Sequence, residues 1–354
     1  MRALVYYGAK KFAVEEKTIP EIKRDEVLLK IIACGICGTD LRIFSSGHHA
    51  ITPPRITGHE IVAKIVSNKS QYKTLKKGDD VIVVTPVGCM KCRFCKAGVQ
   101  NMCVKVALHG HSLGYYADGG FAQYMKVPKE AMTQNVLIKI PKNRHDVALE
   151  HLVLCEPLSC VINGQEKLKI TRNDIVLILG AGPIGCMHAY VAKSKNAKTI
   201  ILADLQQKKL KMARNVPADI MVDTTKQNLE KIIMKVSAGR GADVIIVAAP
   251  SPEGQTDAVR LAAIRGRISF FGGLPKTNPT ITLQSNLVHY KELEIYGAFA
   301  SNRSQYLQAL NMLLNKSVDS SVLVSHIFSL SQIHNALKTL QEGNAIKIII
   351  DPQS

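Results

Sequence analysis

Cys89, Cys92 and Cys95 stand two residues apart and are followed by Cys103. Four soft ligands in one short segment can converge on a tetrahedral zinc ion, the two-residue gaps forming a knuckle and the fourth thiol closing the site from a loop. A C-x-x-C-x-x-C run also suits an iron–sulfur cluster, but the longer gap to Cys103 fits closed zinc better. Upstream, Cys34 and Cys37 form a second pair in Cys-Gly-Ile-Cys-Gly-Thr-Asp, and Gly58-His59-Glu60 follows. Alone, these thiols read as well as a redox pair, and a lone histidine is more often a hydrogen-bonding residue than a ligand. Joined by a distant acid, they offer the mixed sulfur, nitrogen and oxygen donors of an open, catalytic zinc site. Glu156, in Cys155-Glu156-Pro157-Leu158-Ser159, is that candidate acid.

A third motif points to a nucleotide. Gly180-Ala181-Gly182-Pro183-Ile184-Gly185 follows an apolar strand, opens a helix, and has Asp204 at the end of the next strand. That context gives the fingerprint its meaning: Gly180 permits the tight turn, Gly182 a close approach of backbone to pyrophosphate, and Gly185 close packing of helix on strand. The helix N-terminus adds positive potential for the phosphates. Asp204 accepts hydrogen bonds from ribose hydroxyls and repels a 2′-phosphate. Leu205, Gln206 and Gln207 supply no arginine, so NAD is favoured over NADP, with Lys208 and Lys209 the residues able to compensate.

Two kinds of element must position these residues. Up to about residue 130 the chain reads as short strands, Ala3–Tyr7, Glu26–Ile32, Ile61–Val66, Asp80–Thr85 and Ala122–Val127, separated by turn residues. Strands then alternate with helices: strand Asp174–Gly180, a helix to about Lys195, strand Thr199–Asp204, a helix from Gln207, and strands Asp243–Ala248 and Gly266–Phe271. Helices are expected over Gln305–Leu314 and Gln332–Gln341, with a last strand at Ile346–Ile350. This is an α/β chain: a β-rich domain, a doubly wound parallel-sheet (Rossmann) domain, and a C-terminal segment.

Composition narrows the function. With 46% hydrophobic and 21% charged residues, the chain is globular rather than disordered. The net charge of +18 invites a zinc-containing nucleic-acid binder, but Lys and Arg are dispersed, Trp is absent and no basic module occurs. The apolar run Ile175–Ala192 approaches membrane-spanning length but is broken by Gly180, Gly182, Pro183 and Gly185. The N-terminus reads as a strand rather than a signal peptide. Nine cysteines without such a signal favour metal ligation over disulfides, and the cytoplasm is the expected location.

In this order, the C-G-I-C-G-T-D, G-H-E, four-Cys, E-P-L-S and G-A-G-P-I-G motifs resemble those of the zinc-dependent medium-chain dehydrogenase/reductase family, and the likeness spans essentially the whole chain. It implies a GroES-like catalytic domain over 1–152 with a structural zinc lobe at about 86–104. A Rossmann NAD-binding domain over 153–296 and a return to the catalytic domain over 297–354 complete the arrangement. It further implies two zinc ions per chain, and hydride transfer from a secondary alcohol to NAD, giving a ketone. By that likeness Cys37 and His59 ligate the catalytic zinc, Glu60 or Glu156 takes the third position, Cys34 packs, and Asp40 orients His59. Thr39 hydrogen-bonds the substrate oxygen, while Lys209, Gly272, Gly273 and Phe299 line the cofactor site. Relatives are commonly tetramers or dimers, and no nucleic acid or membrane partner is implied.

Glu156 stands where ethanol-type members have a cysteine, which points to the polyol and threonine branches. The likeness also has gaps. Many members carry a histidine five residues after the zinc cysteine, where this chain has Arg42, so a proton must leave through water, cofactor hydroxyls, His48 or His49. Sorbitol-type members carry an arginine where Ala300 stands. A polyol or related secondary alcohol is therefore the expected substrate, with L-threonine or a butanediol as alternatives.

Overall fold

The computed structural model describes residues 1–144 and 147–354. Its contacts divide the chain into two units, Met1–Ser159 with Ala300–Ser354, and Cys160–Phe299. The first break falls inside the helix Cys155–Glu166 rather than ahead of it.

The first unit is built around the strand Val27–Ile36. Its alternate residues Val27, Leu29, Ile31 and Ala33 are fully buried, the period-two pattern of a strand with one face in a core. It pairs antiparallel with Glu60–Asn68 on one side, and with Lys347–Asp351 and Tyr124–Val127 on the other. Asp80–Val83 and Leu137–Lys139 extend the sheet at one edge, and Val324–Ser329 at the other. The central strand runs past the expected end at Ile32 through Cys34, Gly35 and Ile36, because partners flank it there on both sides: Cys34 and Gly35 face Ile61 and Glu60, and all three residues face Ile348–Ile350. A smaller sheet joins Arg2–Gly8 to Lys11–Glu16 and Arg55–Ile56.

The second unit is a six-stranded parallel sheet ordered Ile220–Asp223, Thr199–Asp204, Ile175–Leu179, Ala242–Val247, Ala262–Phe270, Glu294–Gly297. Numbered along the chain this is 3-2-1-4-5-6, the doubly wound order, whose switch point lies beside the first strand. Val176, Leu177 and Ile178 are fully buried, as strands covered on both faces must be. The run Ile175–Ala192 is a strand, a turn and the helix Pro183–Ser194. Among the described residues no helix is long and apolar enough to cross a membrane.

Candidate active site

The strand Val27–Ile36 ends at Cys37, which caps the helix Gly38–Ser46. The backbone N–H of Thr39 donates to Cys37 Sγ at 3.4 Å, and Asp40 Oδ2 accepts from the Cys37 N–H at 2.9 Å. His59 immediately precedes the neighbouring strand Glu60–Asn68, and Glu60 opens it. One donor atom each from Cys37, His59 and Glu60 can be chosen so that all lie within 4.8 Å of one another, and His59 and Glu60 are buried.

The electrostatics of this cluster ask for a cation. Asp40 is fully buried, and its Oδ1 faces His59 Nδ1 at 3.6 Å with no hydrogen bond made by either atom. Burial penalises a charged His59, yet Asp40, Cys37 and Glu156 outweigh it and hold the imidazole pKa well above its ordinary value. A half-buried thiol, a buried imidazole and buried carboxylates with unmet bonding capacity match the borderline-soft donor set of zinc. Cys34 is different: it is fully buried, packs where a Cβ on Gly58 or Gly120 would touch its sulfur, and burial pushes its thiol pKa well up.

Glu156 lies in the first turn of the helix Cys155–Glu166, outside the close triad but near enough to act electrostatically on His59, Tyr115 and Lys347. Thr39 Oγ1 accepts from Arg42 Nη2 at 3.0 Å, one turn along the same helix. Because a guanidinium only donates, the Thr39 hydroxyl proton stays available to another acceptor. His48 and His49 stack at 4.8 Å, His48 meets Tyr115 edge-on at 5.3 Å, and Tyr115 lies 5.6 Å from His59, a row of rings leading away from the triad. Tyr115 and Lys347 are two site residues that sequence reasoning missed. Lys347 left a signal, a lone charge in the apolar run Ala345–Ile350. Tyr115 left none in its surroundings.

The second cysteine group converges as tightly. Sulfurs of Cys89, Cys92, Cys95 and Cys103 lie within 4.8 Å of one another, and Cys95, Cys103 and Val106 form the small core of the lobe. Backbone N–H groups of Lys91 and Cys92 pull the Cys89 pKa down to about 6, while burial and the adjacent thiols push Cys95 up to about 12. None of the nine cysteines is in a disulfide.

At the mouth of the parallel sheet, Asp204 Oδ2 accepts from the Ala181 N–H and Oδ1 from the Gln206 N–H, both at 2.8 Å. The carboxylate is thereby fixed with lone pairs left over for ribose hydroxyls. Gly182 is the cap and Pro183 the first residue of the helix, with Ile184 half-buried behind it. A Cβ on Gly185 would stand 1.7 Å from the Gly180 carbonyl oxygen, so only glycine lets the helix begin this close to the turn. A Cβ on Gly182 or Gly273 would meet nothing within 4 Å, whereas one on Gly272 would meet the Ala249 carbonyl at 2.5 Å. Lys209 is half-buried in the first turn after Asp204, and Phe299 is half-exposed at the end of this unit. Ala300 adopts a left-handed φ of 47°.

A doubly wound sheet with a glycine turn at its switch point, in a chain that also gathers thiol, imidazole and carboxylate around a cation-seeking pocket, defines a metal-dependent nicotinamide dehydrogenase. Residues 23–142 match the alcohol dehydrogenase GroES-like domain and residues 183–315 the zinc-binding dehydrogenase model. The chain is 31% identical to the sorbitol dehydrogenase of Bacillus subtilis, over 99% of this chain and 97% of that one. It is 28% identical to the L-threonine 3-dehydrogenase of Alteromonas mediterranea over the full length of both. Among solved structures it resembles an alcohol dehydrogenase of Escherichia coli CFT073 complexed with NADH (27% identity, TM-score 0.86). It also resembles a zinc-binding dehydrogenase of Sinorhizobium meliloti bound to NADP (26%, 0.89), each match covering 99% of both chains. The chain belongs to the zinc-dependent medium-chain dehydrogenase/reductase family and is a zinc-dependent alcohol oxidoreductase that uses a nicotinamide dinucleotide.

Proposed function

We propose that this chain oxidises a secondary alcohol of the polyol class to a ketone with NAD, using a catalytic zinc held by Cys37, His59 and an acid drawn from Glu60 and Glu156. The observation that carries the reading is the convergence of Cys37, His59 and Glu60 donors within 4.8 Å, with Asp40 buried behind the histidine. Cys89, Cys92, Cys95 and Cys103 hold a second, structural zinc. Bound zinc supplies Lewis-acid polarisation of the substrate hydroxyl. Asp40 stands behind the His59 ring as its counter-charge, and the Thr39 hydroxyl hydrogen-bonds the substrate oxygen, whose released proton passes on to water. Gly180, Gly182, Pro183, Ile184 and Gly185 cradle the pyrophosphate, and Asp204, with Lys209 beside it, holds the adenosine ribose. Gly272, Gly273 and Phe299 border the nicotinamide.

The polyol assignment rests on an acid at Glu156 and on the sorbitol dehydrogenase likeness. A cytoplasmic setting is supported by nine cysteines outside any disulfide, as a reducing compartment keeps them. A homo-oligomer, tetramer or dimer, is supported by the edge strand Glu294–Gly297, paired on one side within the sheet and near exposed Tyr290 and Ile264.

A panel of sorbitol, xylitol, arabinitol, butanediol, L-threonine and ethanol, each scored by NADH formation, tests the substrate. The highest kcat/KM is expected for a polyol, and L-threonine or butanediol in first place overturns that class. Asp204→Asn is expected to lower kcat/KM with NAD by about 10- to 100-fold, the worth of one charged hydrogen bond, and to narrow the preference over NADP. Wild-type protein working better with NADP than NAD would refute the role given to Asp204.

A further inference from the structure

His188 is the one wholly buried histidine among the described residues, and neither the metal site nor the pyrophosphate turn uses it. It lies three residues on from Gly185 in the helix Pro183–Ser194, on the face that meets the sheet. The side-chain amide of Gln165, also wholly buried, donates to the His188 carbonyl at 2.8 Å and to its Nδ1 at 3.0 Å. The reverse amide orientation would press two carbonyl oxygens together, so Nδ1 is the acceptor and the ring proton sits on Nε2. Burial, with Lys195 adding to it, pushes the imidazole pKa down to about 3 and keeps the ring neutral. Nε2 has no nitrogen or oxygen partner. The ring meets Phe271 instead, centroids 4.6 Å apart and planes at 88°. Phe271 also lies against the helix Cys155–Glu166, where a Cβ on Gly164 would stand 2.8 Å from its Cδ2. The next residue is held in turn: the Gly272 N–H donates to the Val247 carbonyl at 2.9 Å, and Gln255 Nε2 donates to the Gly272 carbonyl at 3.0 Å.

We propose that His188 is a positioning residue for hydride transfer: oriented by Gln165, it presents its Nε2–H edge to the face of Phe271 and so sets the Gly272–Gly273 turn against which the nicotinamide lies. This rests on the reading that Gly272 and Gly273 border the nicotinamide. A buried donor costs free energy unless an electron-rich surface receives it, and the aromatic face is the one this ring meets. Gly272 and Gly273 have no side chains with which to anchor themselves, so the ring ahead of them fixes where they stand. An apolar side chain at 188 would fill the space and lose the directed contact. The adenosine end of the cofactor is held separately, by Asp204 with its own bonds to the Ala181 and Gln206 N–H groups. A loosened Phe271 therefore costs the nicotinamide its alignment and leaves the rest of the dinucleotide in place.

Calorimetric titration of the zinc-loaded protein with NADH, and with ADP-ribose, which lacks the nicotinamide, separates this role from support of the fold. His188→Leu is expected to weaken NADH by about tenfold and to leave ADP-ribose within about twofold of wild type. Phe271→Leu is expected to do the same, and the double variant no more than either alone, because the two side chains act through one contact. Phe271→Leu removes no polar group, so it carries the test should His188→Leu fail to fold. Equal weakening of NADH and ADP-ribose, unchanged NADH affinity in either folded variant, or losses that multiply in the double variant overturn the proposal. Gly273→Val, whose added Cβ would meet no protein atom within 4 Å, is expected to weaken NADH alone. Unchanged NADH binding in that variant would instead overturn the underlying placement of the nicotinamide.

Discussion

His59→Ala and Cys37→Ser are each expected to cut alcohol-dependent NADH formation by about 10⁴-fold while the protein stays folded and retains one zinc. The magnitude follows from what the metal supplies: polarisation of a hydroxyl is worth several kcal/mol of barrier, and each 1.36 kcal/mol is about tenfold in rate. The two residues flank different strands. Cys37 closes the central strand and caps a helix, whereas His59 precedes the neighbouring strand with Asp40 set behind its ring. Removing either leaves the pocket's acids facing one another with too few donors to retain a dication. Steady-state rates with saturating polyol, set beside circular dichroism, check the expectation. A variant within tenfold of wild type would mean that the metal is held elsewhere.

Cys92→Ser is expected to release the second zinc and lower the unfolding midpoint by about 10 °C. The lobe has little else to hold it. Its helical segments Arg93–Lys96, Gln100–Met102 and Val104–Ala107 are each a single turn, too short to persist alone. Its core is Cys95, Cys103 and Val106. Structural zinc in small modules supplies roughly 10–16 kcal/mol. Part of that is lost locally rather than globally, because the rest of the unit has its own sheet, so a loss of about 3–4 kcal/mol from global stability is the expected share, at roughly 2–4 °C per kcal/mol for a domain of this size. Calorimetry of the variant and of chelator-treated wild type should agree. An unchanged midpoint with zinc absent would show that the lobe is held by packing.

The chemistry written in short stretches of sequence was legible. The four-cysteine spacing converges as the knuckle argument requires. The strand Thr199–Asp204 begins and ends, and the helix after it begins, where the apolar run and the turn residues place them. What depends on distant pairing was not. Nothing local says that Gly35 must lack a Cβ because Glu60 fills its place, or that Lys347 reaches the same carboxylate from hundreds of residues away in sequence. Tyr115 escaped notice for the same reason, since its neighbours His48, His59 and Arg42 come from other segments.

Several elements were also too weakly patterned to find. Arg55–Ile56 is a two-residue strand, and Lys11–Glu16 and Val324–Ser329 lie on sheet edges with half their residues polar. The strand expected at Gly266–Phe271 begins at Ala262 and carries an irregular register before Arg267, with Arg265 at positive φ. An irregularity of that kind breaks the apolar run from which the strand was read.

Zinc content per chain, measured by elemental analysis of purified wild-type, His59→Ala and Cys92→Ser proteins after gel filtration, bears most directly on the claim that this is a two-zinc alcohol dehydrogenase. Two zinc ions are expected in the wild type, matching its two donor clusters. One is expected in each variant, with turnover abolished by the first and thermal stability reduced by the second. A wild-type protein with a single zinc that disappears in Cys92→Ser and survives in His59→Ala would contradict the catalytic centre.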